Sequence, residues 1–360
     1  MGWLFQVIGT GLILIAIVDI YLVVLYPRGE TGFVSMYLAR SLWYLFRVCA
    51  RMTRRHRDRI LSYMGPTLLV ATVAVWISLL IVGFALIYLP ALGHEIRLES
   101  GTPTDFVSAI YYSGYSLATL GTGDITPQTG TYRLLMILES VLGFSVFTMI
   151  LTYFESVYSQ LIKRNVFALS LHHRTRQTGD AAMMLARFGA GGSFDSSTHQ
   201  DITNMAQNLM TVLESNHSYP VLSYFRLQES YYALARVLLI SMDTATLIRS
   251  ALDEESYRAL VHSAVVSELV GSGMQFLEEL SQLFVPSKYA VVRVQPEQMW
   301  RDRYARAIKC LQAEGIKTIA DSEAGADLYV ALRREWNSQL IAFMRYMDYE
   351  WSAIAPADFK

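Results

Sequence analysis

The chain has 360 residues, of which 53% are hydrophobic and 17% charged, and its net charge is -1. That balance is too apolar for an ordinary soluble domain and too charged for a chain wholly in lipid, so part should lie in a membrane and part in water. Two cysteines, Cys49 and Cys310, exclude a disulfide framework and give no metal-ligand spacing, which fits a reducing compartment for the soluble part.

Trp3 to Tyr26 is apolar for longer than the ~20 residues a bilayer crossing needs. No positive segment precedes it and no small-residue cleavage site follows, so it reads as a retained span. Asp19 lies inside it. An ionisable residue within a span suggests function; here it is expected to meet an arginine of the next segment and lock that segment to the span. Between Arg28 and Arg59 there are eight arginines against two acids, which places this loop on the cytoplasmic side and the N-terminus outside. Phe33 to Arg51 is amphipathic and should lie in the inner interface, with Arg40, Arg47 and Arg51 on anionic lipid headgroups. Arg47, Arg51 and Arg54 have the spacing of a voltage sensor, but too few apolar residues separate them, and a basic inside-facing loop is the preferred reading.

Thr67 to Leu89 forms a second span running outward, and Pro90 to Gly130 lies outside. Pro103 after Thr102 marks a helix start, so Thr104 to Leu117 is expected as a short helix. Its carbonyl end would favour a cation just beyond Leu117. Leu134 to Tyr158 returns as the third span, with Glu139 in its outer half. Lys163-Arg164-Asn165 marks the exit into water, and Gly189 to Thr198 is a Gly- and Ser-rich linker. Helical runs follow at Asp201–Ser215, Gln228–Leu252, Ser256–Leu283, Gln298–Ala313 and Ala324–Tyr349, with one strand-like piece at Tyr289–Val294. Tyr231 to Ile240 is apolar, but Arg236 and its short length make it a core helix rather than a fourth span. No Gly-x-Gly-x-x-Gly loop occurs, His172, His173, His199 and His217 show no ligand spacing, and no catalytic cluster is present, so neither an enzyme nor a cofactor is expected.

Residues 118–124 read Ala-Thr-Leu-Gly-Thr-Gly-Asp between two spans. A Thr-x-Gly-x-Gly-Asp segment there resembles the selectivity filter of the tetrameric potassium-channel family, usually TVGYGD. The resemblance covers about Pro66 to Tyr158. It implies potassium ions held by Thr119, Leu120, Gly121 and Thr122, with Gly123 continuing the carbonyl ladder and Asp124 at its outer end. It also implies support behind the filter from Tyr111 and Tyr112; Glu139, from its place in the third span, is expected to bond there as well. Gly143 falls at the family's hinge position; a close helix contact is the alternative. Phe144, Phe147, Leu151 and Glu155 would then face the pore. Glu155 would ring the inner mouth or snorkel to the interface. The departure is Thr122, which stands where Tyr or Phe is usual and acts as a strut. Threonine is too short for that gap unless Tyr111 or Tyr112 fills it, and a looser filter would discriminate less between K⁺ and Na⁺. The tracts Leu171-His172-His173-Arg174 and Ser218-Tyr219-Pro220-Val221-Leu222 also look like those of uncharacterised prokaryotic potassium-channel-like proteins.

The expectation is an all-α membrane protein. Its parts are an N-terminal span (1–27), a basic interfacial segment (28–65), a pore domain with outer helix, re-entrant pore helix, filter loop and inner helix (66–160), a linker (161–199) and a helical cytoplasmic domain (200–360). One chain supplies one filter loop, so a homotetramer in the plasma membrane is implied. Nucleic acid is not an expected partner. Rival readings are a weakly selective cation pore and a non-conducting scaffold that keeps the fold.

Overall fold

The computed structural model describes residues 2–26, 32–286, 289 and 295–356. The chain divides into two compact units. The first holds Met1–Phe46, Met64–Ser159 and His217–Val221; the second holds Arg47–Tyr63, Gln160–Asn216 and Leu222–Lys360. The basic segment expected as one piece over 28–65 is therefore shared between the two.

In chain order the elements begin with α1 (Gly2–Ile20), which continues through a π turn at Tyr21–Leu25, then α2 (Phe33–Met52), α3 (Arg57–Ser62) and α4 (Met64–Tyr88). The strand β1 (Ile96–Leu98), the helix α5 (Phe106–Leu117), the strand β2 (Ile125–Pro127) and the helix α6 (Gly130–Arg174) follow. Among the described residues, three helical stretches are long and apolar enough to cross a membrane: Gly2–Leu25, Arg57–Ala91 and Gly130–Arg174. In α1 only Gly9, Ala16, Asp19 and Ile20 are buried. A helix apolar all round with most of its surface uncovered is matched to lipid rather than water. α1 and α4 touch backbone to backbone at their glycines. A Cβ on Gly9 would lie 2.4 Å from the Gly83 carbonyl oxygen, and one on Gly83 would lie 2.9 Å from that of Gly9. Small residues allow this close packing where no hydrophobic drive joins helices.

Helix α6 runs unbroken for 45 residues, about 67 Å at 1.5 Å per residue, twice the ~30 Å hydrocarbon layer. This corrects the expected linker at 161–199. Lys163 and Arg164 change the solvent preference of the helix without ending it, because both are good helix formers. The stop comes at Thr175–Gly179, where Arg176 (φ +51°), Gln177 (φ +67°) and Gly179 (φ +74°) turn left-handed. α7 (Ala181–Phe188) then starts on Asp180, whose carboxylate accepts from the Ala182 amide at 2.7 Å.

A two-stranded ribbon pairs β1 with β2 antiparallel, Ile96 opposite Pro127. Strands of three residues are too short to show a period in sequence. The expected strand at Tyr289–Val294 lies outside the described residues except for Tyr289.

The second unit is helical: α7, then α8 (Ser196–Ser218), α9 (Leu234–Ala251), α10 (Glu254–Val261), α11 (Ala264–Leu283), α12 (Glu297–Ala313), α13 (Ser322–Tyr346) and α14 (Trp351–Ile354). α9 is its centre, with every residue but Arg249 buried, so the apolar stretch is core from Ala233 to Ile240, while Tyr231 and Tyr232 before it are half-buried. The run expected as one helix over Ser256–Leu283 breaks at His262-Ser263, where Ser263 caps α11 through the Val266 amide. Inside this unit Asp243 receives Arg303 at 3.0 Å, Arg333 at 2.8 Å and the Tyr329 hydroxyl at 2.6 Å. Arg303 also pairs with Asp180. Asp348, itself left-handed at φ +57°, receives Arg57 at 3.0 Å and Arg47 at 3.7 Å. Arg47, expected at lipid headgroups, is thus engaged within the second unit; Arg40 and Arg51 are exposed.

Candidate functional site

The site is built where α5 ends. Asp105 caps α5 by accepting from the Ser108 amide at 2.9 Å, so the helix starts at Phe106 rather than at Thr104; Pro103 precedes the cap and does not make it. After Leu117 the chain enters 119–124. Thr119 (φ +57°), Gly121 (φ +60°) and Gly123 (φ +83°) are left-handed, and Leu120 and Thr122 between them are not. A backbone of alternating hand turns successive carbonyls toward one side, whereas a strand points them to both. A Cβ on Gly121 or Gly123 would meet nothing within 4 Å among the described residues. Glycine is required there by φ and not by space. Thr119 holds the same conformation with a β-branched side chain, a strain of about 1–3 kcal/mol that its surroundings must impose. Thr119 to Gly123 are all exposed, with Leu120 72% accessible.

Neighbouring groups hold this conformation. The Thr119 amide donates to the Ser116 carbonyl at 3.1 Å and the Leu120 amide to that of Tyr115 at 2.9 Å. At the far end the Glu99 amide donates to the Asp124 carbonyl at 2.9 Å, tying the loop to the ribbon. The Thr122 hydroxyl donates to the Asp124 carboxylate at 2.5 Å. Behind the loop is an aromatic cluster. Tyr112 meets Tyr88 at 4.6 Å and Tyr115 at 5.4 Å between ring centroids, and Tyr115 meets Tyr111 at 5.2 Å. The Tyr115 hydroxyl donates to the Ile125 carbonyl.

Glu139 of α6 is fully buried. Its carboxylate accepts from the Tyr88 hydroxyl at 2.8 Å and the Ser113 hydroxyl at 2.6 Å, joining α4, α5 and α6 at one point. Next to it, Ser140 donates to the Ser116 carbonyl at 2.9 Å. Gly143 lies against the end of α5, where a Cβ would stand 2.1 Å from the Leu117 carbonyl oxygen. Of the two roles open to Gly143, close helix contact has this direct geometric support. Val146, Ile150, Tyr153 and Val157 form the buried strip of α6, while Phe144, Phe147, Leu151 and Glu155 are exposed.

Asp19 is buried, and among the described residues it does not meet an arginine as expected. It accepts from the Trp76 indole at 2.7 Å, the Val34 amide at 2.9 Å and the Ser35 hydroxyl at 2.6 Å. The first-turn amides of α2 have no partner within their own helix, so a carboxylate can satisfy them without a second charge. Gly32 leaves the necessary space, since a Cβ there would lie 2.2 Å from an Asp19 oxygen. Asp19 does join the segment after the first span to that span, by other donors than foreseen. Sequence reasoning missed Trp76, Tyr88, Ser113 and Tyr115. Tyr115 alone had a signal: it lies four and three residues after Tyr111 and Tyr112, on one helix face.

Residues 72–160 match a family described as ion channel, Ion_trans_2. The chain is 33% identical over 169 residues to the uncharacterized membrane protein YdjJ of Bacillus subtilis (strain 168). That alignment covers 46% of this chain and 48% of the relative, so the match spans about half the length of each. No solved structure matches the chain. Residues 72–160 are therefore similar to an ion-channel unit, and the chain is similar over about half its length to a membrane protein.

Proposed function

We propose that the chain is one subunit of a passive cation channel in which four copies place their 119–124 loops around a common axis and conduct K⁺. The observation that carries this reading is the alternating hand at Thr119, Gly121 and Gly123 on an exposed loop. Carbonyls gathered on one open side can replace the hydration shell of a bare cation once a ring of such loops closes. The carbonyl end of α5 adds a favourable dipole at the same place. Thr119, Leu120, Gly121 and Thr122 are the ion ligands, and Asp124 is the outer charge. Phe144, Phe147, Leu151 and Glu155 are exposed on α6 and line the inner path. The arginine-rich segment puts the helical unit on the cytoplasmic side of the plasma membrane, with Arg40 and Arg51 on anionic headgroups. Gating acts through α6, since one helix continues from the channel unit to Arg174. The activity is permeation and not catalysis.

The test is ion flux from liposomes holding the purified protein, with K⁺ and Na⁺ compared. K⁺ efflux well above Na⁺ efflux is expected. Equal fluxes would replace this reading with a weakly selective pore. Intact assemblies that pass no cation would replace it with a scaffold.

A further inference from the structure

The geometry assigns Tyr115 the work of the strut that Thr122 is too short to do: it is a positioning residue that sets K⁺ over Na⁺ selectivity from α5 instead of from within the loop. This rests on the channel reading above. A ligand ring discriminates between cations only while its outer end keeps its width, and that end is Thr122 to Ile125. Three tyrosines stand behind it. Tyr111 is 46% exposed, and its hydroxyl bonds the Asp124 carboxylate on the solvent side of the loop, a side chain and not the backbone. Tyr112 is buried, but its hydroxyl makes no hydrogen bond among the described residues. Tyr115 is 4% exposed, is flanked by both other rings and places its hydroxyl on the Ile125 carbonyl, directly after Asp124. Thr122 meanwhile spends its hydroxyl on Asp124 within the loop. Among these side chains, Tyr115 is the one with a buried hydroxyl on a backbone carbonyl at the far end of the loop. Its other end is fixed too, because the Leu120 amide donates to the Tyr115 carbonyl at 2.9 Å. One residue therefore holds the loop both at Leu120 and at Ile125.

The test compares Tyr115→Phe with Tyr112→Phe in full-length protein in liposomes. Both remove one buried hydroxyl and keep the ring, but only the first removes a bond to the loop. Tyr115→Phe is expected to lower the K⁺ over Na⁺ flux ratio about tenfold, as the loss of one buried hydrogen bond implies. Total flux and assembly size should persist, and Tyr112→Phe should match the parent. Amide hydrogen exchange gives a readout independent of flux: Tyr115→Phe should speed exchange at 122–126 and Tyr112→Phe should not. An unchanged ratio with unchanged exchange in Tyr115→Phe would overturn the assignment, as would loss of the assembly itself, which would mark a purely structural role. If the parent fails to prefer K⁺, the channel reading fails, and the exchange arm still decides whether Tyr115 holds the loop.

Discussion

Asp19 and Glu139 in the first unit, and Asp180 and Asp243 in the second, are all buried carboxylates, satisfied by different chemistry. Asp19 takes an indole, a hydroxyl and a backbone amide; Glu139 takes two hydroxyls. Among the described residues neither meets a cation. Asp243 takes two arginines and a tyrosine, and Asp180 shares one of those arginines. The difference fits the proposal that the first unit lies in lipid and the second in water. An arginine brought into a bilayer adds a second charge to be desolvated, whereas neutral donors fill the lone pairs of a carboxylate at much lower cost. In a unit folded in water, arginines can reach the core along their own apolar stems. Each unit nevertheless uses its carboxylates to tie separate helices together. Asp19 joins α1, the start of α2 and α4; Glu139 joins α4, α5 and α6; Asp243 on α9 joins α12 and α13.

The largest expected effect comes from neutralising Asp243. Asp243→Asn leaves Arg303 and Arg333 buried with too little negative charge and should cost the second unit about 3–5 kcal/mol, read as a lower thermal midpoint in detergent. Acid should act on the same network. Burial pushes the Asp243 carboxyl up, but Arg303 and Arg333 outweigh it and hold it below the usual range. A depressed carboxyl contributes fully above the ordinary value near pH ~4 and loses that contribution as pH falls through its folded value. The midpoint of the second unit should therefore drop between about pH 4 and the acid limit, and Asp243→Asn should flatten that drop.

In the first unit, Gly143→Ala forces a methyl against the Leu117 carbonyl and should cost about 1–3 kcal/mol, with flux reduced because α5 carries the loop. Asp19→Asn is expected to cost about 1–3 kcal/mol, since the Trp76 indole and the Val34 amide can only donate and an amide offers one oxygen to both. Glu139→Gln should be mildest, at about 1 kcal/mol, because the hydroxyls of Tyr88 and Ser113 can each turn from donor to acceptor. A Glu139→Gln loss as large as that of Asp243→Asn would erase the distinction between the two units.

Much of the first unit was legible because a bilayer imposes length and apolarity that few other structures need. The three spans, the loop between two of them and the odd charge at Asp19 all follow from that constraint. The partners of Asp19 were not legible, because backbone amides at a helix start leave no residue type to read. The length of α6 was misread since Lys163 and Arg164 signal a change of solvent and were taken for a change of structure. In the second unit the split at Ser263 was hidden inside an apolar period that continues on both sides. The ion network was hidden because Asp243, Arg303 and Arg333 come from three helices, and nothing local says that their charged sides face one another. Thr122 was legible as a departure, but Tyr115 needed coordinates to show which of three tyrosines holds a backbone carbonyl there.

The central claim is that the alternating backbone of Thr119 to Gly123 is one quarter of an ion path. The most direct measurement is a cryo-electron-microscopy map of the purified protein in K⁺. Four copies around one axis are expected, with the Thr119 to Thr122 carbonyls facing it and density for ions between them. A monomer, or a dimer whose 119–124 loops share no axis, would contradict it.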